Sequence, residues 1–349
     1  MSSYRYLWHA TALCTALAMG CGGEDYICKP GQPPPGEQVG TMQQPSTCPV
    51  QECGANSAEI NEIPIGELHV VPGENTGEVN QWGAQLRDFV APDGSTDYVA
   101  RFDMGRLFAD NGERRLDGPD LIGSIFTVLN TNTGDELQLQ IRDLSLIPSW
   151  TDQGFLVERF VFGYYDCGLL GFAPICQDAM ELPDEEAWSV IVGGERYSWE
   201  DKDAFASGDD ARGWFNIACY DNALYKMKFT GYDPQPTGDN PYVSAPEDRT
   251  ATLKMMTADY CGTGTSFTET GTPLYWINAE GWSSNSVPVD AVSEALWDET
   301  GALCLDEPRL GNDILQDIID ECATVGKVLG PCSEYNGAYV WETYNPVAP

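Results

Sequence analysis

Apolar and polar positions alternate along much of the first half of the chain. Short apolar runs separated by turn residues occupy 66–71, 98–102, 124–129, 137–146 and 155–164. Alternation over a few residues is typical of β-strands that bury one face. The pattern therefore predicts a strand-dominated first half.

Two turn signals predict hairpins between neighbouring strands. Asn, Gly and Asp at 132–135 separate two alternating segments, and these residues favour tight hairpin turns. The segments 188–192 and 196–199 flank Gly193 and Gly194, which is a second hairpin signal.

Helical patterns are concentrated in the second half. Residues 244–247 have the spacing of a capping box, with Pro246 in the first turn. They open a predicted helix that runs to about Tyr260 and stops at Gly262 or Gly264. A second predicted helix, over about 312–326, is amphipathic and groups its apolar residues on one face: Ile314, Leu315, Ile318, Ile319, Cys322 and Val325.

The first twenty-one residues have the pattern of an export signal. Arg5 precedes an apolar stretch over about 7–19, which is too short to span a bilayer. Cys21 follows Leu-Ala-Met-Gly, a pattern similar to a bacterial lipobox, in which cleavage falls before the cysteine and the cysteine is acylated. We predict a signal peptide over 1–20, lipidation of Cys21 and the bilayer as a partner. The alternative is a plain secretory signal, with Cys21 among the disulfide cysteines.

The predicted cellular location follows from the same N-terminal segment. Gly22, and not Asp, comes after Cys21, so no inner-membrane retention signal is evident. We therefore expect an exported lipoprotein of the outer membrane or cell surface, with a periplasmic or secreted protein as the alternative.

The cysteine count agrees with export. Cys14 leaves with the signal peptide and Cys21 carries lipid, so ten of the 12 cysteines remain, an even number. Ten cysteines in an oxidising compartment predict disulfides. The local pairings expected are Cys167 with Cys176 and Cys322 with Cys332. The candidates are Cys28, Cys48, Cys53, Cys167, Cys176, Cys219, Cys261, Cys304, Cys322 and Cys332.

Net charge restricts the partners. The formal charge is −36, with 18 Lys and Arg against 54 Asp and Glu. Phosphate binding needs clustered basic side chains, so we predict no nucleic-acid partner. An anionic membrane surface is disfavoured as a partner for the same reason.

Catalytic signals are weak. His69 is the one histidine outside the signal peptide, and it lies in a short strand pattern without a nucleophile elbow, so we interpret it as structural. The acidic stretches 110–120, 200–203 and 209–210 do not match the ligand spacing of an EF-hand. We predict no catalytic residue, no metal site and no cofactor.

Aromatic residues leave two interpretations open. Sugar rings stack on Trp and Tyr, and such residues occur close together at 164–165, 276–297 and 335–344. Packing in the core, with 335–344 as a C-terminal strand, is the preferred interpretation.

Residues from about 213 to 332 carry a pattern that resembles the ADYC domain. The marks include Ala218-Cys219, Gly231-Tyr232, Gly271-Thr272-Pro273 and Ala302-Leu303-Cys304, around the motif Ala258-Asp259-Tyr260-Cys261. The resemblance is to bacterial, largely myxobacterial, secreted proteins and lipoproteins, and it implies no activity. It implies a helix over 222–230, where Tyr225, Met227 and Phe229 alternate with lysines as in a strand. It also implies a cysteine pair at positions that hold Met227 and Thr252 in this chain.

These observations define a domain organisation and a function to test. We predict a signal peptide over 1–20, a lipidated Pro/Gly-rich tether over 21–60, a β-rich region over 61–205, an ADYC-like domain over 206–335 and a C-terminal tail or strand over 336–349. The fold class is a strand-dominated, disulfide-stapled α+β fold with mainly antiparallel sheets and two or three helices in the C-terminal half. The expected function is that of a non-catalytic surface or binding lipoprotein of the cell envelope. The alternatives are a carboxylate-based polysaccharide hydrolase and a glycan- or protein-binding adhesin.

Overall fold

A computed structural model describes most of the chain after residue 55. The residues described are 56–61, 63–71, 74, 76–103, 105–151, 154–166, 171–176, 188–220, 222–235, 244–285 and 287–346. The signal peptide, the lipidation site and most of the tether lie outside the described residues. So do the candidates Cys21, Cys28, Cys48, Cys53 and Cys167.

The largest sheet has eight antiparallel strands, six of them from the first half of the chain. Its strand order is β1-β13-β10-β8-β7-β6-β2, and β9 pairs with β8. The strands are β1 (Glu67–His69), β2 (Ala84–Val90), β6 (Ile125–Asn130), β7 (Glu136–Pro148), β8 (Leu156–Asp166), β9 (Gly171–Pro174), β10 (Trp188–Gly193) and β13 (Trp214–Cys219).

Three smaller antiparallel sheets complete the strand structure. One contains β3 (Val99–Asp103), β4 (Arg106–Asp110) and β5 (Arg115–Asp117), and another pairs β11 (Glu195–Ser198) with β12 (Asp203–Ser207). The C-terminal sheet has the order β14-β17-β15-β16, from β14 (Tyr275–Asn278), β15 (Val292–Asp298), β16 (Gly301–Leu305) and β17 (Trp341–Asn345).

Three α-helices lie in the second half of the described chain: α1 (Ala223–Phe229), α2 (Pro246–Thr257) and α3 (Leu315–Thr324). Short 3-10 helices cover Gly118–Leu121, Gly208–Ala211, Asn312–Ile314 and Cys332–Glu334. The strand-dominated α+β class, the antiparallel sheets and the number of helices are as the sequence predicts.

The hairpin predicted at 132–135 joins β6 to β7, where Gly134 has a positive φ of 82°. The second predicted hairpin is wrong. β10 pairs with β8 and β13, whereas β11 pairs with β12. Gly194, with φ 81°, redirects the chain from one sheet to the other, and a side chain at Gly193 would stand 2.0 Å from Phe102. Here the glycines permit close packing between layers and not a two-stranded turn.

Residues 223–229 are helical, as the resemblance implies and against the alternation of apolar and lysine positions. All seven residues of α1 are buried, including Lys226 and Lys228. A segment enclosed on every side shows no polar face, so its alternation carries no information about secondary structure.

The predicted helix boundaries shift slightly. α2 begins one residue later than the predicted box, because Asp248 accepts a hydrogen bond from the Ala245 N–H at 3.1 Å. It ends at Thr257, with Ala258 as the C-cap, and so before Tyr260, Gly262 and Gly264. In α3 only Ile318 and Cys322 are buried, while Ile319 and Val325, predicted on the same face, are exposed.

The core divides into two apolar clusters. One lies within the large sheet and the β3–β5 sheet and includes Phe89, Phe126 and Phe215. The other surrounds α1 and α2 and includes Trp276, Trp297 and Trp341 from the C-terminal sheet. The second cluster holds the candidate motif.

Residues 56–61 form a buried strap and not the end of a free tether. The Asn56 N–H donates to Thr272 O at 2.8 Å, and the Asn61 side chain donates to Ile217 O at 3.0 Å. The carbonyls of Glu59 and Ile60 accept from the first two N–H groups of α1. The strap therefore satisfies donors that a helix N-terminus leaves open, and the folded body begins before residue 60.

We predict different effects for two aromatic substitutions on β17. The Trp341 indole is fully buried against α2, whereas Tyr344 lies on the opposite face and is partly exposed. Trp341→Ala should lower the free energy of unfolding by about 3–5 kcal/mol, since it leaves a large cavity. Tyr344→Ala should cost at most about 1 kcal/mol. Chemical denaturation of both variants checks this, and equal losses would contradict the assignment of faces.

Candidate functional site

The tetrapeptide 258–261 begins where α2 ends. Ala258 is the C-cap residue, with φ 52° and ψ 41° in the left-handed region. A residue other than glycine occupies this region at a cost on the order of 1 kcal/mol. The reversal places the three following side chains in the interior, where Asp259 and Tyr260 are completely buried and Cys261 is 4% exposed.

Asp259 is a buried carboxylate that closes the turn. Lys254, in the last turn of α2, donates to Asp259 Oδ2 at 3.0 Å. The backbone N–H groups of Thr263 and Gly264 donate to Oδ1 and Oδ2 at 3.0 and 2.9 Å. A buried charge is stable only when it is paired and hydrogen-bonded, and here both carboxylate oxygens are satisfied.

Lys254 also joins this turn to a neighbouring loop. Its ammonium group donates to Asp201 O at 2.9 Å. The same loops touch at Gly264, where an added Cβ would stand 1.8 Å from Glu200 O. The glycine-rich stretch 262–264 is therefore a tightly packed turn.

Tyr260 belongs to a second buried network. Its hydroxyl donates to Glu294 Oε1 at 2.5 Å and accepts from the Arg309 N–H at 3.2 Å. The Arg309 guanidinium binds both oxygens of Glu294, at 2.6 and 3.1 Å, and also donates to Asn56 of the strap. Burial raises the pKa of Tyr260, and the charge of Glu294 raises it further, so the phenol stays protonated.

A β-bulge explains why Glu294 faces inward. The register of β15 against β17 shifts between Ser293 and Ala295, so Glu294 and Ala295 are both buried. A bulge redirects a side chain that strict alternation would place outside. In the sequence, an acidic residue within an apolar strand pattern is the signal that could have indicated this inward position.

Cys261 forms a disulfide with Cys322 of α3, with a Cα–Cα distance of 4.7 Å. The turn between β15 and β16 also packs closely against the motif, since a Cβ added at Gly301 would stand 2.7 Å from Asp259 O. All three polar or reactive side chains of the tetrapeptide are therefore engaged in interactions within this chain. The arrangement joins α2, α3, the strap and the C-terminal sheet, and it supplies no free acid, base or nucleophile from the motif.

Two further ion pairs are also buried in the interior. Arg249 binds both oxygens of Glu195 at 2.7 Å, and both side chains are nearly inaccessible. Lys228 pairs with Asp233 at 2.8 Å. The first pair links α2 to β11, and the second joins α1 to the residues that directly follow it.

Two further disulfides connect Cys176 with Cys219 and Cys304 with Cys332. The expected local pairings of Cys176 with Cys167 and of Cys322 with Cys332 are both wrong. Antiparallel sheets and helix packing bring cysteines together across 28 to 61 residues of sequence, so proximity along the chain does not predict partners.

His69 lies on β1, as the sequence suggests, and both ring nitrogens have partners. Nδ1 accepts the Glu78 N–H at 3.0 Å, and Nε2 lies 3.1 Å from Arg212 O. The ring packs against Trp214 with centroids 4.8 Å apart. Since both ring nitrogens have partners, His69 attaches the segments that contain Glu78 and Arg212 to the edge strand β1.

The acidic stretches are separated and partly neutralised. Within 110–120, Asp110 pairs with Arg101 and Asp117 with Arg115, and Asp209 pairs with Arg212. Burial raises the pKa of Asp203, although the charge of Lys254 opposes that shift. In the parts of the chain that the structure describes, no group of three or more His, Cys, Asp or Glu side chains could hold a metal ion.

In the C-terminal sheet, tryptophans and tyrosines lie on opposite faces. Trp276, Trp297 and Trp341 point inward and are fully buried, as the core interpretation predicts. Strand alternation places Tyr275 and Ile277 of β14, and Glu342 and Tyr344 of β17, on the outer face. We call these four residues, with Tyr339 just before β17, the tyrosine face.

The sequence indicated part of this face but not its composition. Tyr339 and Tyr344 stand in an aromatic stretch that predicts a strand. Tyr275 joins them only because β14 pairs with β17, with Tyr275 opposite Tyr344. Short strands far apart in sequence give no signal of their pairing.

These features define a class of protein: a disulfide-stapled, strand-dominated α+β protein whose buried turn carries the sequence Ala-Asp-Tyr-Cys. A family model for the ADYC domain matches residues 118–311, and the chain belongs to that family. The match begins before the segment 213–332 that carries the resemblance, and so includes strands β6 to β13. No curated protein and no solved structure shows significant similarity to the chain.

The described part of the chain contains no helix with the length and apolar composition that a membrane span requires.

We predict that breaking the Lys254–Asp259 pair destabilises the protein strongly. Lys254→Met removes the cation and leaves a buried carboxylate, so the free energy of unfolding should fall by about 3–5 kcal/mol. The control Arg87→Met removes an exposed cation whose side chain donates to Gln85 Oε1, and should change the free energy of unfolding by about 0.5 kcal/mol or less. Urea denaturation measures both. Similar midpoints for the two variants would contradict the role of the pair.

We also predict a difference between two glycines with positive φ. A Cβ added at Gly264 (φ 84°) would stand 1.8 Å from Glu200 O, whereas nothing lies within 4 Å of the Cβ position at Gly271 (φ 91°). Gly271→Ala should cost about 1–2 kcal/mol from backbone strain alone. Gly264→Ala should cost clearly more, because a backbone clash is added. Thermal unfolding compares the two, and an equal shift would show that the loops are not in contact.

Proposed function

We propose that this protein is an exported lipoprotein of the cell envelope that acts by binding and not by catalysis. The observation that carries the proposal is the turn at 258–261. Its carboxylate, phenol and thiol are all engaged inside the protein, by Lys254, Glu294 and Cys322 respectively. The motif that characterises the family therefore serves the fold, and its residues are not those of a reaction centre.

Export is supported by the disulfides. Three of them connect described residues, and structural disulfides persist in oxidising compartments such as the periplasm or the cell surface. Each typically contributes about 2–5 kcal/mol to a secreted domain.

Lipid attachment is supported by the N-terminal pattern. Cys21 follows a short apolar segment and the Leu-Ala-Met-Gly sequence. Several acyl chains on this cysteine would hold the protein stably on a bilayer, since each buried CH₂ contributes about 0.8 kcal/mol. The outer membrane or the cell surface is the proposed location, and the charge of −36 disfavours nucleic acid as a partner.

Metabolic labelling with palmitate tests this proposal. The full chain, expressed in a bacterium with a lipoprotein pathway, should incorporate label and sediment with membranes. Cys21→Ser should lose both properties, whereas Cys28→Ser, a control in the same segment, should keep the label. An unlabelled native protein, or equal labelling of the native protein and Cys21→Ser, would show that Cys21 is not acylated.

A further inference from the structure

The tyrosine face is the partly open outer surface of the C-terminal sheet. Tyr275 and Tyr344 are cross-strand partners, so their side chains lie side by side on this surface. Burial, together with electrostatic interactions among Tyr339, Glu342 and Tyr344, changes the pKa of both tyrosines. Burial raises the pKa of Tyr344, and its hydrogen bond with Glu342 and the charge of that carboxylate add to the shift. Burial and Glu342 also raise the pKa of Tyr339.

Glu342 differs from the buried glutamates in having no cation of its own. Glu67, Glu195 and Glu294 each pair with an arginine. Within the described chain, Glu342 forms no ion pair, although its side chain is partly buried. A carboxylate that is partly withdrawn from water and lacks a counter-charge is a favourable place for a cation.

The chain has few basic side chains left to supply that cation. Six Lys and Arg side chains of the described residues are buried in the interior: Lys202, Lys226, Lys228, Arg249, Lys254 and Arg309. Six Asp and Glu are buried as well, so burial leaves the strongly negative net charge of the surface unchanged and lowers the number of cations on it. A second copy of the chain carries the same acidic surface and would be repelled.

We propose that the tyrosine face binds a lysine or arginine side chain of a basic partner protein. The cation would lie against the ring faces of Tyr275 and Tyr344 and pair with Glu342. Aromatic rings attract cations through their quadrupole, and a neighbouring carboxylate adds an ion pair. A neutral glycan could stack on the rings but would leave Glu342 without a counter-charge. The inference rests on the proposed binding function and names the site and the chemistry of its partner.

Fluorescence anisotropy with a labelled lysine-rich peptide tests the proposal at physiological ionic strength. The matched probe is the same peptide with every lysine acetylated. The native protein should bind the cationic peptide and not the acetylated one. Glu342→Gln should weaken binding about tenfold, and Tyr275→Leu and Tyr344→Leu about threefold each.

The control variant is Glu136→Gln, which removes one negative charge from an exposed position on the β6–β7 hairpin. It should leave the affinity within about twofold of the native value, because only diffuse surface charge changes. Circular dichroism verifies that each variant is folded.

Two results would overturn the inference. Equal losses for Glu342→Gln and Glu136→Gln would show that a general acidic surface, and not the tyrosine face, attracts the peptide. Binding of a neutral N-acetylglucosamine oligosaccharide at Tyr275 and Tyr344, without binding of the lysine peptide, would assign the face to glycans. Either result leaves the palmitate experiment on Cys21 unaffected, so the lipoprotein proposal stands or falls separately.

Discussion

The carboxylate of Asp259 is the constraint on which the C-terminal half of this protein depends. Asp259 follows Ala258, whose backbone is in the left-handed conformation at the end of α2. Its carboxylate accepts hydrogen bonds from Lys254 and from two backbone N–H groups of the following loop. An unpaired charge at this depth would cost several kcal/mol, so helix, turn and loop must form together. Next to it, Tyr260 and Cys261 extend the same turn to the C-terminal sheet and to α3.

Several cations of this chain neutralise acids inside the protein. Lys228, Arg249, Lys254 and Arg309 all pair with buried carboxylates. Internal pairing removes acids and cations from the surface in equal numbers, so the surface stays strongly acidic and repels other copies of the same chain. It also makes Glu342 conspicuous, because this partly buried carboxylate has tyrosines as neighbours and no cation within the described chain.

Errors of the sequence-based predictions arose where contacts are distant along the chain. The Gly193-Gly194 turn has the composition of a hairpin, yet Gly193 packs against Phe102 and the chain changes sheets there. Cysteine partners were wrong for the same reason, because Cys322 lies beside Cys261 and not beside Cys332. The helix α1 was predicted correctly by the family resemblance and not by its alternation, because burial on all sides removes the polar face that would have indicated a helix.

Local patterns in the sequence were sufficient for the strand-dominated class, the β6–β7 hairpin, the amphipathic character of α3 and the family resemblance. These features depend on alternation, turn chemistry and short motifs, which act over a few residues. Tertiary structure alone decided that Glu294 turns inward through a bulge, that residues 56–61 cap α1, and that Tyr275 stands beside Tyr344. Each of these arrangements joins segments that are far apart in sequence, and only the packed chain brings their atoms into contact.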